Sequence, residues 1–274
     1  MAIQKEIWLA DIVEPLYASN TFAAQSVDHS DFVNGTVVHV PNAGSPPEIV
    51  KNRSTFPATA TRREDTDLTY TLNDYSTDPV HIPNAEAVEL SYNKRQSVIS
   101  QIQLALADKV YKDLLESWWK EASWVGDSSP YGTPIREIFA MAATLMNQQD
   151  VPQEGRNAVV PPNVYYLLLK ELSAFEGQAF LKSIDAQTGA LGKLFGFNVY
   201  TSECMYVAET MDDPMFFWHK SCVSRAIGQA ELFTDDQNPL YYGDIFSARV
   251  RAGGSLLRAD KKGAFVMSIR QNAD

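Results

Sequence analysis

The chain has 274 residues, 45% of them hydrophobic and 21% charged, enough for one large domain or two modest ones and too apolar for a disordered protein. Its longest apolar runs are a few residues, such as Tyr165–Leu169, so no membrane-spanning helix is expected. A formal net charge of −11 argues against gripping nucleic acid through its phosphates, an affinity that lysine and arginine supply.

The start, Met1 to Glu6, lacks the basic and apolar regions of a signal peptide, so a cytoplasmic place of synthesis is expected. Residues 1–34 carry scattered apolar positions: Ile7, Trp8, Ile12, Leu16, Tyr17 and Phe22. A short helical turn is expected near Ile7, ended by Pro15. The segment is too apolar for a free tail and too irregular for a core element. It should lie along a surface, its own or a neighbour's, with Trp8 as a contact candidate.

Gly35–Pro41 reads as a strand through Val37, Val38 and Val40. Asp67–Tyr75 alternates, with Leu68, Tyr70 and Leu72 on one face. Between the two, Pro46, Pro47 and Pro57 exclude regular structure, and the flanks pair as a long hairpin-like arm. Arg53, Arg62 and Arg63 stand against Glu64, Asp65 and Asp67. The cluster is either a solvated loop or an ion-pair patch between subunits, in which each exposed pair contributes about 0–1 kcal/mol.

A long amphipathic helix follows over Ser91–Ala122. Val98, Ile102, Ala105, Leu106, Val110, Leu114 and Trp118 form its apolar stripe. Asp108 and Lys112 sit at i,i+4 on the polar side. Trp118, Trp119 and Trp124 are expected to form one packing plug. Thr133 and Pro134 open the next helix, with threonine as N-cap and proline at the first helical position. That helix buries Ile135, Ile138, Phe139, Ala142 and Leu145. Asn157–Val160 is a short strand, and Pro161-Pro162 opens a helix through Val164, Leu167, Leu168 and Leu172. A short helix over Glu176–Ile184 precedes a glycine-rich turn. Strands are expected at Phe197–Thr201, Met215–Trp218, Ala230–Phe233, Ile245–Ala252 and Ala264–Ile269.

Catalytic signatures are missing. His29, His39, His81 and His219 are scattered, with no second histidine at metal-ligand spacing. His219 reads as a hydrogen-bonded structural residue. Cys204 and Cys222 read as buried or half-buried thiols. Gly253-Gly254 suggests a bulge or turn. Asp212-Asp213 and Asp235-Asp236 read as solvated turns, with a weak divalent-cation site as the lesser alternative. No enzyme, cofactor or resident metal is expected.

The segment Gly189-Ala-Leu-Gly-Lys-Leu-Phe-Gly-Phe-Asn-Val-Tyr-Thr-Ser202 resembles a strand of tailed-phage major capsid proteins: a small apolar residue, Gly, a hydrophobic residue, Val, Val or Tyr, then Ser. Upstream, Ala158-Val-Val-Pro161 and the helix with Tyr165 and Leu168 resemble the strand, proline and helix that precede it. Downstream, Phe246–Val250, Arg251–Asp260 and Ala264–Val266 resemble the closing strands. The ordered set covers essentially the whole chain and carries the resemblance.

That resemblance implies an α+β fold, the Hong Kong 97-like or Johnson fold. It implies an N-terminal arm over 1–34 and an extended loop over 35–90. A peripheral domain would combine a spine helix in 91–129 with return strands in 239–274, and an axial domain would span 130–238. Asp185, Gly189, Gly192 and Lys193 would lie in an axial loop near five- or six-fold axes. It also implies self-assembly through pentamers and hexamers into an icosahedral shell around double-stranded DNA. A separate scaffolding protein, a portal and head accessory proteins would be partners, without a membrane, and the shell would form in the host cytoplasm. An encapsulin-type nanocompartment shell shares the fold. From other classes stand a soluble hydrolase with Asn42–Thr66 as a lid, and a tail or adhesin component.

Overall fold

The computed structural model describes residues 22–42, 49–54, 62, 66–83, 94–125, 133–172, 174–184, 190–205, 212–258 and 260–270. The helical turn expected near Ile7 lies outside the described residues. The first half carries β1 (Val27–Asp28), β2 (Val33–Asn34), β3 (Val37–Asn42), β4 (Thr66–Thr71), β5 (Asn73–Ser76), β6 (Val80–Pro83) and α1 (Lys94–Glu121). Then come β7 (Ser123–Trp124), α2 (Ile135–Gln148), β8 (Arg156–Val160), α3 (Pro162–Glu171), α4 (Ala174–Lys182), β9 (Gly192–Leu194) and β10 (Phe197–Thr201). Last are β11 (Asp212–His219), β12 (Val223–Ile227), β13 (Glu231–Asn238), β14 (Gly243–Leu256) and β15 (Ala264–Arg270).

The α+β architecture holds three sheets among the described residues. The central one runs β7-β15-β11-β8-β10-β9. The second runs β1-β12-β14-β13, with β5 and β6 also paired to β14, and the third is β2-β3-β4. β8 lies between β10 and β11, and all five of its residues are buried, the polar Arg156 and Asn157 as well as the apolar Ala158, Val159 and Val160, so no alternation marks an exposed face.

β11 shows how the core is divided. Met215 and Phe217 face one cluster and Phe216 and Trp218 the other, and all four are fully buried. Successive strand residues point to opposite faces, so an unbroken apolar strand must be covered twice. On one face α2 and α3 supply the cover. Phe217 sits there among Phe139, Phe197 and Phe265, with ring centroids 5.2, 5.2 and 5.6 Å away. On the other face lie α1 and the second sheet, contributing Val110, Leu114, Leu115, Trp118, Phe246 and Val250.

Sequence periodicity places α1 to within three residues at its start. Its 28 residues span about 42 Å. The Lys112–Asp108 pair forms at 2.7 Å. Ala105, however, is exposed, and the buried stripe widens instead to Ala107, Tyr111 and Leu115, because two sheets pack on this helix. The three tryptophans do not form one plug. Trp118 packs against Phe22 and Trp218, each with centroids 6.4 Å away, and its Nε1 donates to the Ser224 carbonyl at 2.8 Å. Trp119 meets Trp124 separately, at 6.3 Å.

Other differences have local causes. Pro134 is the cap residue of α2 and Ile135 its first helical position, one residue later than expected, and Met146 rather than Leu145 is fully buried. Leu167 is exposed. Leu72 breaks the expected Asp67–Tyr75 strand: β4 pairs with β3, whereas β5 pairs with β14, so the chain changes sheet at this buried residue. Asp212-Asp213 opens β11 and Asp235-Asp236 lies within β13, so neither pair is a turn. A division at residue 238 cuts across the sheets, because β12 and β13 pair with β14 while β15 pairs with β11.

Gly253-Gly254 is neither bulge nor turn, since both lie in regular register with Ala226 and Arg225. A side chain at Gly253 would meet the Thr71 carbonyl at 2.7 Å, and one at Gly254 the Ser224 carbonyl at 2.5 Å and Trp118 Nε1 at 2.7 Å. The two glycines let the small sheet and α1 approach opposite faces of one strand.

Arg156 is a buried cation that sequence reading passed over. Its guanidinium donates to the carbonyls of Pro152 and Val151 and to Asn147 Oδ1, at 2.9, 2.5 and 2.8 Å. Burial lowers its pKa from the usual arginine value, and the three acceptors offset the cost of removing the charge from water.

Candidate functional site

The first candidate surface is the hairpin of β3 and β4. Its register runs from Val37 opposite Thr71 to Asn42 opposite Thr66. Val38, Tyr70 and Leu72 bury one face against Ala226, with Val33 and Val40 packed beside them. On the exposed face His39 Nδ1 lies 2.8 Å from Asp67 Oδ2, a diagonal cross-strand pair. Beyond the ladder, residues 49–54 and Arg62 are exposed, and Ile49 is 95% exposed. An isoleucine left so open gains almost no burial from the described residues of its own chain.

The second surface is the connection from β13 to β14. Asn238 stands opposite Gly243, leaving Pro239, Leu240, Tyr241 and Tyr242 as the tip. Leu240 is 82% and Tyr242 81% exposed, and Tyr241 is exposed too. The tip is nonetheless tied by hydrogen bonds. Leu240 N donates to Asn238 Oδ1 at 2.8 Å, Asn238 Nδ2 to Asp235 Oδ2 at 2.6 Å, and Gln237 N to Asp244 Oδ1 at 2.9 Å. Gln237 and Tyr242 hold φ of 56° and 53°, conformations that side chains other than glycine adopt rarely and at a cost. Sequence reading missed this surface. The available signal was three large apolar residues in succession, Leu240, Tyr241 and Tyr242, between a proline and a glycine.

The third is the β9–β10 hairpin. Phe197 pairs with Leu194, so Phe195 and Gly196 form a two-residue loop, with φ of 47° and 87°. Positive φ at both central positions is the requirement of a type I′ turn, where Asn-Gly is preferred. Phenylalanine at the first position is strained, and it is 44% exposed. Phe195→Asn should stabilise the isolated chain by about 0.5–1 kcal/mol, read as a raised denaturant midpoint with unchanged slope. A lower midpoint would show that the ring contributes more to its own fold than its exposure indicates.

Neither a protein-family model nor a curated protein sequence matches the chain. Solved structures do match it. A chain from the capsid of cyanophage P-SCSP1u superposes with a TM-score of 0.68 over 90% of this chain and 87% of that one, at 13% identity. A chain from Mycobacterium phage Che8 gives 0.67 over 90% of each, at 19% identity. A virus-like particle from Pyrococcus furiosus gives 0.63 over 96% of this chain and 99% of that one, at 10% identity. The fold is the Hong Kong 97-like capsid fold.

Within this capsid fold the residues singled out from sequence fall as follows. Arg53, Arg62 and Asp67 are exposed, and Asp67 meets His39 across the hairpin, a partner that the sequence cluster did not suggest. Trp8, Arg63, Glu64, Asp65, Asp185 and Gly189 lie outside the described residues. Gly192 is buried, and a side chain there would enter the Phe180 ring at 2.5 Å, so its smallness seats α4 against β9 rather than freeing a loop. Lys193 is exposed, and its N–H donates to Ser183 Oγ at 2.6 Å.

Lys193 also lines a cleft of about 840 Å³ with Gln25, Glu154, Asn198, His219 and Lys220. His219 there is hydrogen-bonded, as expected. Its Nδ1 lies 2.8 Å from Ser221 Oγ and accepts from Ser221 N, and its Nε2 lies 2.8 Å from the Glu154 carbonyl. That pattern fixes the tautomer with the proton on Nε2. Cys222 is a buried free thiol whose pKa burial raises, while the Cys204 side chain lies outside the described residues. Among the described residues no three His, Cys, Asp or Glu side chains gather to hold a metal.

Proposed function

We propose that the chain is a major capsid protein of a tailed phage, whose copies tile an icosahedral shell around double-stranded DNA. The observation that carries this reading is the likeness of fold to capsid chains over 90% of the sequence. The exposed apolar residues of the hairpin loop and of the β13–β14 tip support it, because large apolar side chains left exposed on projections mark protein contacts. In this reading 1–34 is the arm, 35–90 the extended loop and α1 the spine. The segment from α4 to β9, with Asp185, Gly189, Gly192 and Lys193, faces the ring axes. Trp8, Arg53, Arg62, Arg63, Glu64, Asp65 and Asp67 serve contacts between subunits. Such lattices combine heterologous ring contacts with two-fold contacts, and closure requires the right curvature. Assembly takes place in the host cytoplasm with a separate scaffolding protein, and the finished virion carries a portal and accessory proteins. The acidic chain encloses DNA without sequence-specific binding, and the reading assigns it no reaction.

A second reading, an encapsulin-type shell, draws support from the likeness to the Pyrococcus furiosus particle. Sedimentation and electron microscopy of the purified protein test both. Closed shells, rings or tubes are expected. Nuclease-protected DNA inside particles from infected cells favours the phage reading, and a packaged enzyme favours the second. A chain that stays monomeric with a candidate scaffold and under crowding would overturn both.

A further inference from the structure

The stretch from Phe22 to Phe32 lies against β12 and is held by more polar contacts than its length requires. β1 pairs with β12 in parallel, Val27 opposite Ser224 and Asp28 opposite Arg225. Arg225 Nη1 donates to the Ala23 carbonyl at 2.7 Å and to Ser26 Oγ at 2.9 Å, and Nη2 donates to Asp28 Oδ2 at 2.9 Å. Trp218 Nε1 donates to the Gln25 carbonyl at 2.8 Å, His29 N to the Arg225 carbonyl at 2.8 Å, and Ile227 N to Ser30 Oγ at 3.0 Å.

Within the docked stretch itself, one described side chain has an unsatisfied buried atom. His29 is buried, its ring edge-on to Phe32 at 5.9 Å, and its Nδ1 has no hydrogen-bond partner among the described residues. A neutral imidazole tolerates that with one unpaired nitrogen. An imidazolium would bury a charged N–H with no acceptor.

We propose that His29 is a proton-operated latch: protonation of its ring releases residues 22–32 from β12 and leaves the rest of the fold intact. The inference stands apart from the assembly reading. Burial lowers the His29 pKa below its ordinary 6.5, partly offset by the Asp28 charge. The docked state therefore binds fewer protons than the undocked one. Docking is at full strength above pH 6.5 and weakens as pH falls below it, by about tenfold per unit, until the docked ring itself takes up the proton.

The other groups facing this segment do not share that window. At Asp28 burial raises the pKa, but the Ser30 hydrogen bonds and Arg225 outweigh it, so the carboxylate sits below its ordinary 3.8 and keeps its pair with Arg225 well into acid. Arg225 is a permanent cation. Burial raises the Tyr70 pKa above its ordinary 10.0. Asp31 beside the ring is exposed, and Glu231, Arg249 and Arg251 line the adjoining cleft with Ser30.

Hydrogen–deuterium exchange of the full chain between about pH 4.5 and 7.5, corrected for intrinsic rate, tests the latch. Peptides over 22–32 should lose protection by up to about tenfold per unit below pH 6.5, while β8 and β11 peptides stay protected. In His29→Phe the 22–32 peptides should be indifferent to pH. Flat protection in the natural chain, or the same acid-induced loss in His29→Phe, would overturn the proposal. If His29→Phe does not dock at any pH, direct NMR titration of the His29 ring in the natural chain decides. A pKa at or above 6.5 would defeat the latch.

Discussion

Gly254→Ala should lower stability by about 3–5 kcal/mol, and thermal or denaturant unfolding will show it as a lower midpoint. The added methyl has nowhere to go. It would lie 2.5 Å from the Ser224 carbonyl, 2.7 Å from Trp118 Nε1 and 2.9 Å from Leu114 Cδ2. Only the Leu114 methyl, the farthest of the three, is the end of a flexible side chain. The carbonyl belongs to the paired strand β12, and the indole is locked by its own hydrogen bond to that carbonyl. Relief requires α1 to move outward, which opens its contact with Phe22 and Trp218. A loss under about 1 kcal/mol would mean that α1 rides loosely on the sheet, against the usual cost of overpacking a core.

If the chain assembles as proposed, excising residues 43–65 and joining Asn42 to Thr66 by Asn-Gly should leave a folded protein that no longer does so. The two residues stand opposite each other in the ladder, so a two-residue turn closes the hairpin in register. The hydrophobic contacts of β3 and β4 lie on the retained side. Helix content and unfolding midpoint should change little. Because one missing contact recurs at every neighbour, particle yield should fall by about two orders of magnitude or more. Sedimentation and microscopy give the readout. Normal shells from the excised chain would remove the loop from the assembly mechanism.

Much of the fold was legible because its elements obey simple periods. Phe197–Thr201 reads correctly from its apolar alternation, and α1 and α2 from their three-and-four spacing. β12 did not, because Ser224 and Arg225 interrupt its apolar pattern, although serine is buried there and arginine is spent on holding residues 22–28. Partners are harder to read than elements. That β5, β6, β12 and β13 all pair with β14 depends on which strand edges remain open after folding, and local sequence carries no record of that. The candidate surfaces divide the same way. The hairpin announced itself by composition. The β13–β14 tip did not, because exposed tyrosines and leucine look like core until their burial is known.

The length of β14 also has a mechanical meaning. At 14 residues it extends about 46 Å and runs past four other strands, two of which, β5 and β6, bring the chain from the hairpin toward α1. Tension applied along its axis loads many backbone hydrogen bonds at once, in shear. Tension across it opens them singly, as a zipper does. A sheet organised around one such girder is stiff along one direction and compliant across it, so a tile built on it would flex about a preferred line while its length stayed fixed.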